Sequence, residues 1–247
     1  MKVGIIDIET SPATAHVWTL WGANVSLAQL LEPSRVLSFA WKWDGEPGRT
    51  EFFSEYHDGT GVMRDALYDR LSEADATVTW NGKKFDLKHV RRELLEGGYP
   101  PLKPSATIDL MLEVRKHFAF QSNKLDYVAG QLLGQRKVSH EGHALWVKCL
   151  EGDAKAWDTM RRYNVADVNL TAKLYRHLKP YIGHPSVPLF DGDDRPACRK
   201  GCGHTLEKRG TAKTAQSEFQ QYRCRKCGSW QRDTRAINRI QSAAVAW

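Results

Sequence analysis

A short apolar segment that ends in two closely spaced carboxylates constrains the fold of this chain more than any other feature. Residues 3–11 read VGIIDIETS, so an aliphatic run leads into Asp7 and Glu9. Such a run is typical of a buried strand, and residues two apart on a strand point to the same face. Two adjacent carboxylates would repel each other and lose hydration there. The pair therefore predicts a positive partner that the sequence does not itself supply.

The pattern of elements along the chain predicts an α/β fold. Strand-like segments come first as a meander, and an alternation of helices and strands follows, which is typical of a mixed sheet with helices on its faces. The predicted strands are Lys2–Ile8, His16–Leu20, Val36–Trp43, Thr50–Ser54 and Ala76–Trp80. Helical spacing predicts helices at 61–75, 85–98, 108–118, 124–134 and 153–178.

Composition divides the chain into a large domain and a small basic one. A length of 247 residues suffices for one domain with its own core plus an appendage. From Asp191 onward there are 12 Lys/Arg against six Asp/Glu, which leaves a net charge of only +1 for the preceding 190 residues. We predict a domain over 1–182, a linker rich in Pro, Gly and Asp over 183–195, a cysteine module over 196–234 and a basic tail over 235–247. The basic module favours a nucleic-acid partner.

The apolar segments favour a protein that stays in the cytoplasm. No apolar run approaches the length of a membrane span, and Met1 leads directly into strand-like sequence without the basic and apolar regions of a signal peptide. We therefore expect a soluble protein that is not exported and has no membrane partner.

Two later segments contain further acidic residues at the ends or on the faces of predicted elements. WNGKKFD places Asn81 after a strand and Asp86 near a helix start, and YNVADV places Tyr163 and Asp167 four apart on one helical face. Each feature alone is more often a solvated, capping or surface group. Their joint occurrence with the N-terminal pair favours a catalytic set.

These motifs, in this order, resemble the DEDD (DnaQ-like) superfamily of 3′–5′ exonucleases. The motifs are DIET, NGKKFD and YNVAD. The segments TIDLM and NKLDYVAGQLLG look like parts of the proofreading domains of family B DNA polymerases, and the layout as a whole looks like stand-alone exonucleases common in bacteriophage genomes. The resemblance implies a ribonuclease H-like, mixed five-stranded sheet flanked by helices. A phage origin would place the protein in the host cytoplasm.

The resemblance also implies a mechanism. Asp7, Glu9, Asp86 and Asp167 would hold two Mg²⁺ or Mn²⁺ ions, which prefer hard oxygen ligands, and Tyr163 would orient the attacking water. The expected substrate is the 3′ end of single-stranded DNA. A weakly catalytic end-binding module, an RNA substrate and an internal cut stay open as alternatives.

The tyrosine subtype of this superfamily fits better than the histidine subtype. The histidine branch has its His five residues before the last Asp, and this chain has Arg162 there. Tyr163 lies four before Asp167, as in the tyrosine branch.

Three residues are weaker candidates for nucleic-acid contact: Thr10, Asn81 and Lys124. Asn81 could bind near the terminal nucleotide, brace Asp86 or simply hold its turn. Lys124 could lie near the cleaved phosphate or be a solvated lysine at a helix start. Asp109 is a rival carboxylate, but its position at a helix start after Thr107 favours capping.

Four cysteines near the C-terminus have the spacing of a zinc ribbon. Cys198 and Cys202 are separated by three residues, Cys224 and Cys227 by two, and 21 residues lie between the two pairs. Gly follows each pair and permits the tight turn that such a site needs. We expect one structural Zn²⁺ on these four thiolates. Because the first pair is spaced one residue wider than usual, the replacement of one cysteine by His204 stays open as an alternative. The ribbon would contact nucleic acid or dock replication or recombination proteins, whereas Cys149 is expected to be a small apolar filler.

Overall fold

The computed structural model describes residues 1–185 and 196–239, which fall into two units. One unit is Lys2–Arg176, and the other begins at His177. Residues 186–195 of the predicted linker and residues 240–247 of the predicted tail lie outside the described residues.

The larger unit contains a five-stranded sheet of mixed direction in the order β5-β4-β1-β6-β7. Its strands are β1 (Val3–Thr10), β4 (Val36–Trp43), β5 (Glu51–Ser54), β6 (Ala76–Thr79) and β7 (Ala106–Asp109), and a separate ribbon pairs β2 (Thr14–Ala15) with β3 (Leu30–Glu32). The pairs β1–β4 and β4–β5 are antiparallel, whereas β1–β6 and β6–β7 are parallel. The expected α/β fold with a mixed five-stranded sheet is confirmed.

Six helices accompany this sheet in the described residues. They are α1 (Thr60–Glu73), α2 (Asp86–Glu96), α3 (Leu110–His117), α4 (Leu125–Leu133), α5 (His143–Leu150) and α6 (Ala154–Leu178). The predicted helices correspond to five of them, with small shifts at the ends. The short helix α5 was not predicted.

Two strand assignments differ from the sequence prediction. The predicted strand His16–Leu20 is wrong. These residues belong to no strand, and Trp18 and Leu20 are 99% and 86% exposed. In its place β7 completes the five strands, although its last residues were predicted as the start of a helix. Thr79 of β6 lies opposite Asp109 of β7, so the strand ends where α3 begins.

The strand β1 lies in the middle of the sheet and determines where a site can form. Its residues Ile5, Ile6 and Ile8 are buried. A Cβ atom at Gly4 would overlap the indole of Trp41 on β4, so only glycine permits this close approach. The carboxyl ends of the parallel strands β1 and β6 lie at the same edge of the sheet, the usual place for a ligand site in α/β folds.

The C-terminal unit contains a three-stranded antiparallel sheet in the order β10-β9-β8. Its strands are β8 (Leu206–Lys213), β9 (Ser217–Cys224) and β10 (Trp230–Arg239). The strand β10 includes the first five residues of the predicted tail, because Ala236 and Arg239 still pair with Phe219 and Ser217 of β9.

None of the described helices combines the length and the apolar character that a membrane crossing requires.

Candidate active site and candidate metal centre

The end of β1 is fastened to α6 through a buried asparagine. Asn164 is fully buried, and its Nδ2 donates hydrogen bonds to Oδ2 of Asp7 at 2.7 Å and to the Asp7 carbonyl oxygen at 3.1 Å. Its Oδ1 lies 3.4 Å from the Ser38 hydroxyl on β4, which donates to it. Asp7 therefore has a fixed orientation toward the helix that carries Tyr163 and Asp167.

Asp86 joins the same edge of the sheet from α2. It is the first residue of that helix, it is 4% exposed, and its Oδ1 accepts a hydrogen bond from the Ile8 backbone N–H at 3.2 Å. Ile8 lies between Asp7 and Glu9 on β1. The carboxylate of Asp86 thus lies beside the N-terminal pair, although 76 or more residues separate them along the chain.

Lys137 links the two candidate residues of α6. Its Nζ lies 2.5 Å from Oδ2 of Asp167 and donates a hydrogen bond of 2.6 Å to the Tyr163 hydroxyl. It also lies 4.7 Å from the centroid of the tyrosine ring. The other carboxylate oxygen, Oδ1 of Asp167, is buried and has no hydrogen-bond partner in the described part of the chain. A buried, unsatisfied carboxylate oxygen is a natural cation ligand.

The electrostatics of this region show that the four carboxylates interact. Burial raises the pKa of Asp7 well above its usual value, and the negative charges of Asp86, Glu9 and Asp167 raise it further. Burial and the charge of Asp167 raise the pKa of Glu9 to about 8. Burial also raises the pKa of Asp86 to about 6, against backbone hydrogen bonds that lower it.

Asp167 and Lys137 each counteract the effect of burial on the pKa of the other. Burial raises the pKa of Asp167, and the Lys137 ammonium counteracts part of this shift. Burial lowers the pKa of Lys137, but the charge and hydrogen bond of Asp167 and the contact with Tyr163 together outweigh burial, so the lysine pKa is raised overall. The site thus concentrates negative charge that one ammonium neutralises only in part, which fits additional cations.

The spacing of the carboxylates is wider than a single coordination shell. In the described ranges, the four cysteines are the only group of three or more ligands whose donor atoms all lie within 4.8 Å of one another. Carboxylate oxygens are the type of ligand that Mg²⁺ and Mn²⁺ prefer, and four side chains offer them here: Asp7, Glu9, Asp86 and Asp167. An ion at Oδ2 of Asp167 would have to displace the Lys137 ammonium.

The structure places Asn81 and Asp109 in a turn beside the site. Asn81 has a positive φ of 69°, and its N–H donates to Oδ1 of Asp109 at 3.0 Å. The same carboxylate accepts from the Lys83 N–H at 3.0 Å and from the Leu112 N–H at 3.3 Å. The capping role predicted for Asp109 is confirmed, and the backbone of Asn81 holds its turn.

In the described residues, Lys137 and not Lys124 is the lysine in contact with a candidate carboxylate. Lys124 is exposed at the start of α4, and no carboxylate oxygen of a described residue lies within 4.0 Å of its ammonium. Lys137 follows α4 in a loop without periodicity, so no sequence signal identified it. Asn164 was also missed, although it lies next to Tyr163 in the motif YNVAD, and that adjacency was an available signal.

A cavity of about 390 Å³ opens beside Glu9. Thr10, Phe85 and Trp146 contribute to its wall, so it offers both a hydroxyl and aromatic faces next to the carboxylates. The ring of Trp146 also lies 6.4 Å from that of Tyr163. The cavity is large enough for a nucleotide-sized ligand.

In the C-terminal unit the four predicted cysteines come together. The Sγ atoms of Cys198 and Cys227 are 3.7 Å apart, close to the ~3.8 Å separation in a tetrahedral site with Zn–S bonds of about 2.3 Å. The glycines after the two pairs, Gly203 and Gly228, have φ of 77° and 74°, as the turn argument requires. These four thiols can hold a zinc ion.

His204 does not belong to this group of donors. The four cysteines alone form the cluster, and Nδ1 of His204 lies 3.3 Å from the Pro196 carbonyl oxygen. Cys149 is buried beside Trp157, whose Nε1 donates to its carbonyl oxygen at 2.8 Å, in agreement with a filler role.

Comparison with known proteins relates the fold to nucleic-acid enzymes. No protein of curated function matches the sequence. A solved structure that is similar is that of the family B DNA polymerase from the hyperthermophilic archaeon Pyrobaculum calidifontis, with a TM-score of 0.53 and 21% identity. The similarity covers 72% of this chain but only 24% of the polymerase, and at this identity it concerns the fold alone.

A family model supplies the classification. It matches residues 33–179, a range that includes Asp86, Tyr163 and Asp167 but begins after Asp7 and Glu9. The matched range is more than half of the chain, and the sheet order and the mixed strand directions agree with the expected ribonuclease H-like fold. The chain therefore belongs to the RNase_H superfamily.

Proposed function

We propose that this protein is a metal-dependent 3′–5′ exonuclease of the DEDD superfamily, tyrosine subtype, that hydrolyses phosphodiester bonds at single-stranded DNA 3′ ends. The observation that carries the proposal is the meeting of carboxylates from β1, α2 and α6 at one edge of the sheet. The fold family and the similarity to a DNA polymerase support a nuclease but do not identify the direction of cutting.

Asp7, Glu9, Asp86 and Asp167 would hold two Mg²⁺ or Mn²⁺ ions. Such a pair, when bound, activates the attacking water and neutralises the charge that develops on the phosphate. Asn164 keeps the Asp7 carboxylate in one orientation, and Asp86 is held by the Ile8 amide. The protein thus supplies preorganised ligands.

Tyr163 would orient the attacking water through its hydroxyl group. In the structure this hydroxyl accepts a hydrogen bond from Lys137. The same hydroxyl also hydrogen-bonds the Asp167 carboxylate, so Tyr163 is held beside a proposed metal ligand, where it could contact the attacking water. Burial raises the pKa of Tyr163, so the phenol stays protonated and acts by hydrogen bonding and not as a base.

The substrate would enter over two surfaces of the larger unit. The cavity beside Glu9 would take the terminal nucleotide, with Thr10 and the rings of Phe85 and Trp146 at its wall. A second cavity of about 810 Å³ lies between β4, the loop before β5 and α6, and its wall contains five basic residues and one acidic residue, Asp158, an excess of positive charge that suits a phosphate backbone. Its basic residues are Lys42, Arg49, Lys155, Arg161 and Arg162.

We infer further that the four cysteines hold one structural Zn²⁺ and that the C-terminal unit is a zinc ribbon. Its partner would be the nucleic acid or a replication or recombination protein.

Digestion of a 5′-labelled oligonucleotide tests this function. Wild-type protein with Mg²⁺ or Mn²⁺ should give a ladder that shortens from the 3′ end, and Asp7→Asn and Asp167→Asn should each lower the rate by at least about 100-fold. Glu113→Gln, which changes a carboxylate on α3, should digest like the wild type. Parallel DNA and RNA substrates decide the sugar preference. Unchanged digestion by either Asn variant, or internal cuts alone, would contradict the proposal.

A second candidate is an end-binding module with little or no catalysis. The ammonium of Lys137 on Asp167 and the wide spacing of the carboxylates favour it. Tight binding of 3′ ends without cleavage in either metal would identify this function.

A further inference from the structure

One face of the three-stranded sheet carries aromatic and arginine side chains in alternation. On β9, Phe219 and Arg223 are four residues apart and so share a face. Trp230 lies opposite Arg223, and Arg232 lies opposite Gln221 of the same face. We call Phe219, Arg223, Trp230 and Arg232 the aromatic–arginine face.

One arginine of this face stacks on a ring, and the other lies within cation–π range of one. The Cζ atom of Arg232 lies 3.7 Å from the centroid of the Phe219 ring, and that of Arg223 lies 6.0 Å from the Trp230 ring. Trp230 is 55% exposed, and both arginines are exposed. A stacked guanidinium presents its second planar surface to solvent, so the face offers flat groups to a ligand.

Neither of these two arginines forms an ion pair with a carboxylate of the described residues, although Glu207 of β8 lies opposite Arg223 in the sheet. No carboxylate oxygen in the described part of the chain lies within 4.0 Å of either guanidinium. Two carboxylates of the sheet form ion pairs with other residues: Glu207 with Arg209 and Arg225, and Glu218 with Lys213. The positive charge of the face is therefore available to a partner.

The whole unit has the charge of a polyanion binder. Residues 196–239 contain 11 Lys/Arg and three Asp/Glu. Four zinc-bound thiolates would leave a clear positive excess. A protein partner would need a strongly acidic surface with apolar contacts, whereas a nucleic acid supplies phosphates and planar bases together.

We propose that the aromatic–arginine face binds single-stranded nucleic acid by stacking bases on Trp230 and on the guanidinium of Arg232. Residues two apart on a strand are separated by about 6.6 Å, roughly twice the ~3.4 Å rise of a duplex strand. Bases within a duplex are stacked on one another at the shorter spacing, so only bases that have left the duplex stack can lie on both Trp230 and the Arg232 guanidinium. This binding is independent of the nuclease chemistry proposed above and requires no divalent ion at the carboxylates.

Fluorescence anisotropy with the full-length, zinc-loaded protein tests the proposal without added divalent ion, so that cleavage does not enter. The probes are labelled 20-nucleotide single strands of DNA and of RNA and a DNA duplex of the same length. Wild-type protein should bind a single strand more tightly than the duplex, and the two single strands show whether the sugar matters.

Trp230→Leu should weaken single-strand binding about tenfold, the loss expected for one base stack. Trp230→Phe is the matched control, because it keeps an aromatic plane, and it should recover most of the affinity. Arg232→Lys should weaken binding while the dependence on salt stays unchanged, since the charge remains and the planar group is lost. Lys213→Gln, at the far end of β8, removes one charge and no planar group, so it should weaken the binding of single strand and duplex alike and lower the salt dependence.

Three results would overturn the proposal: equal affinity of Trp230→Leu and wild type, equal affinity of duplex and single strand, or no binding of either single strand. Zinc content and circular dichroism of each variant show whether it is folded. If Trp230→Leu is unfolded, the comparison of Arg232→Lys with wild type decides the question.

Discussion

A single lysine compensates part of the negative charge of the candidate active site. Lys137 is the one described cation in direct contact with its carboxylates, and it contacts both Asp167 and Tyr163. Asp167 is only 2% exposed, so its negative charge depends on that partner. A bound metal ion would provide the same compensation from outside the chain.

Lys137→Met should therefore destabilise the metal-free protein. Removal of the ammonium leaves Asp167 buried without a positive partner, and we expect a loss of about 3 kcal/mol in the free energy of unfolding. Urea denaturation of the larger unit without divalent ions measures it, and the deficit should shrink when Mn²⁺ is added. Lys124→Met is the control, because Lys124 contacts no described carboxylate. Equal loss in both variants would contradict this account of the site.

The raised pKa of Glu9 predicts how the stability of the metal-free protein depends on pH. The pKa rises from 4.5 to about 8 on folding, so between these pH values the folded state binds more protons than the unfolded state. Stability should fall as pH rises through this window. Glu9→Gln should reduce that fall, as shown by urea denaturation at pH 5, 6.5 and 8. A wild type whose pH dependence matches that of the variant would show that Glu9 titrates normally.

At the residue scale, the sequence prediction of the site rests on motifs that join several residues. Asp7, Glu9, Asp86 and Asp167 were predicted from three ordered motifs, and the structure brings them to one edge of the sheet. Lys137 was missed, because an isolated lysine in a loop looks like any solvated lysine. Its contact with Asp167 depends on how α4 and α6 pack, which no local pattern records.

Among the elements, β1 shows how one strand combines burial and function. Its apolar residues fill the centre of the sheet, and its polar end meets α2 and α6. Alternating or continuous apolar residues allowed β1, β4 and β6 to be predicted from the sequence. The four-residue strand β7 was missed, because its residues also fit the start of a helix and only pairing with β6 makes them a strand.

Gly4→Ala tests the packing of β1 against β4. The new Cβ would overlap the Trp41 indole, so we expect a destabilisation of about 1–3 kcal/mol in chemical denaturation. Gly61→Ala is the matched control, because a Cβ at this position of α1 meets no atom within 4 Å and should stabilise the helix slightly. Similar effects of the two substitutions would mean that β1 and β4 are not packed this closely.

For the whole molecule, the two units are stabilised in different ways. The larger unit has an extensive apolar core, whereas in the range 196–239 the buried residues are only Cys198, Cys224 and Ser229. Because the unit has so little apolar burial, we expect its fold to depend on the metal that the four cysteines could hold. This contrast follows from the composition, and the clustered cysteines allowed it to be predicted from sequence.

Removal of zinc should unfold the C-terminal sheet alone. After chelation, or in Cys227→Ser, amide hydrogen exchange in β8, β9 and β10 should become fast while β1, β4 and β6 stay protected. Metal analysis establishes that the wild type contains about one zinc per chain. Protection of the C-terminal strands after the metal has left would contradict a structural role for the cysteines.

Anomalous diffraction from crystals soaked in Mn²⁺ would show whether the four carboxylates bind a pair of divalent ions. We expect two manganese peaks about 3.5–4 Å apart, in contact with Asp7 and Asp167, with the Lys137 ammonium moved away from Asp167. Crystals in which manganese is absent from this edge of the sheet, while Lys137 stays on Asp167, would contradict the proposed metal pair.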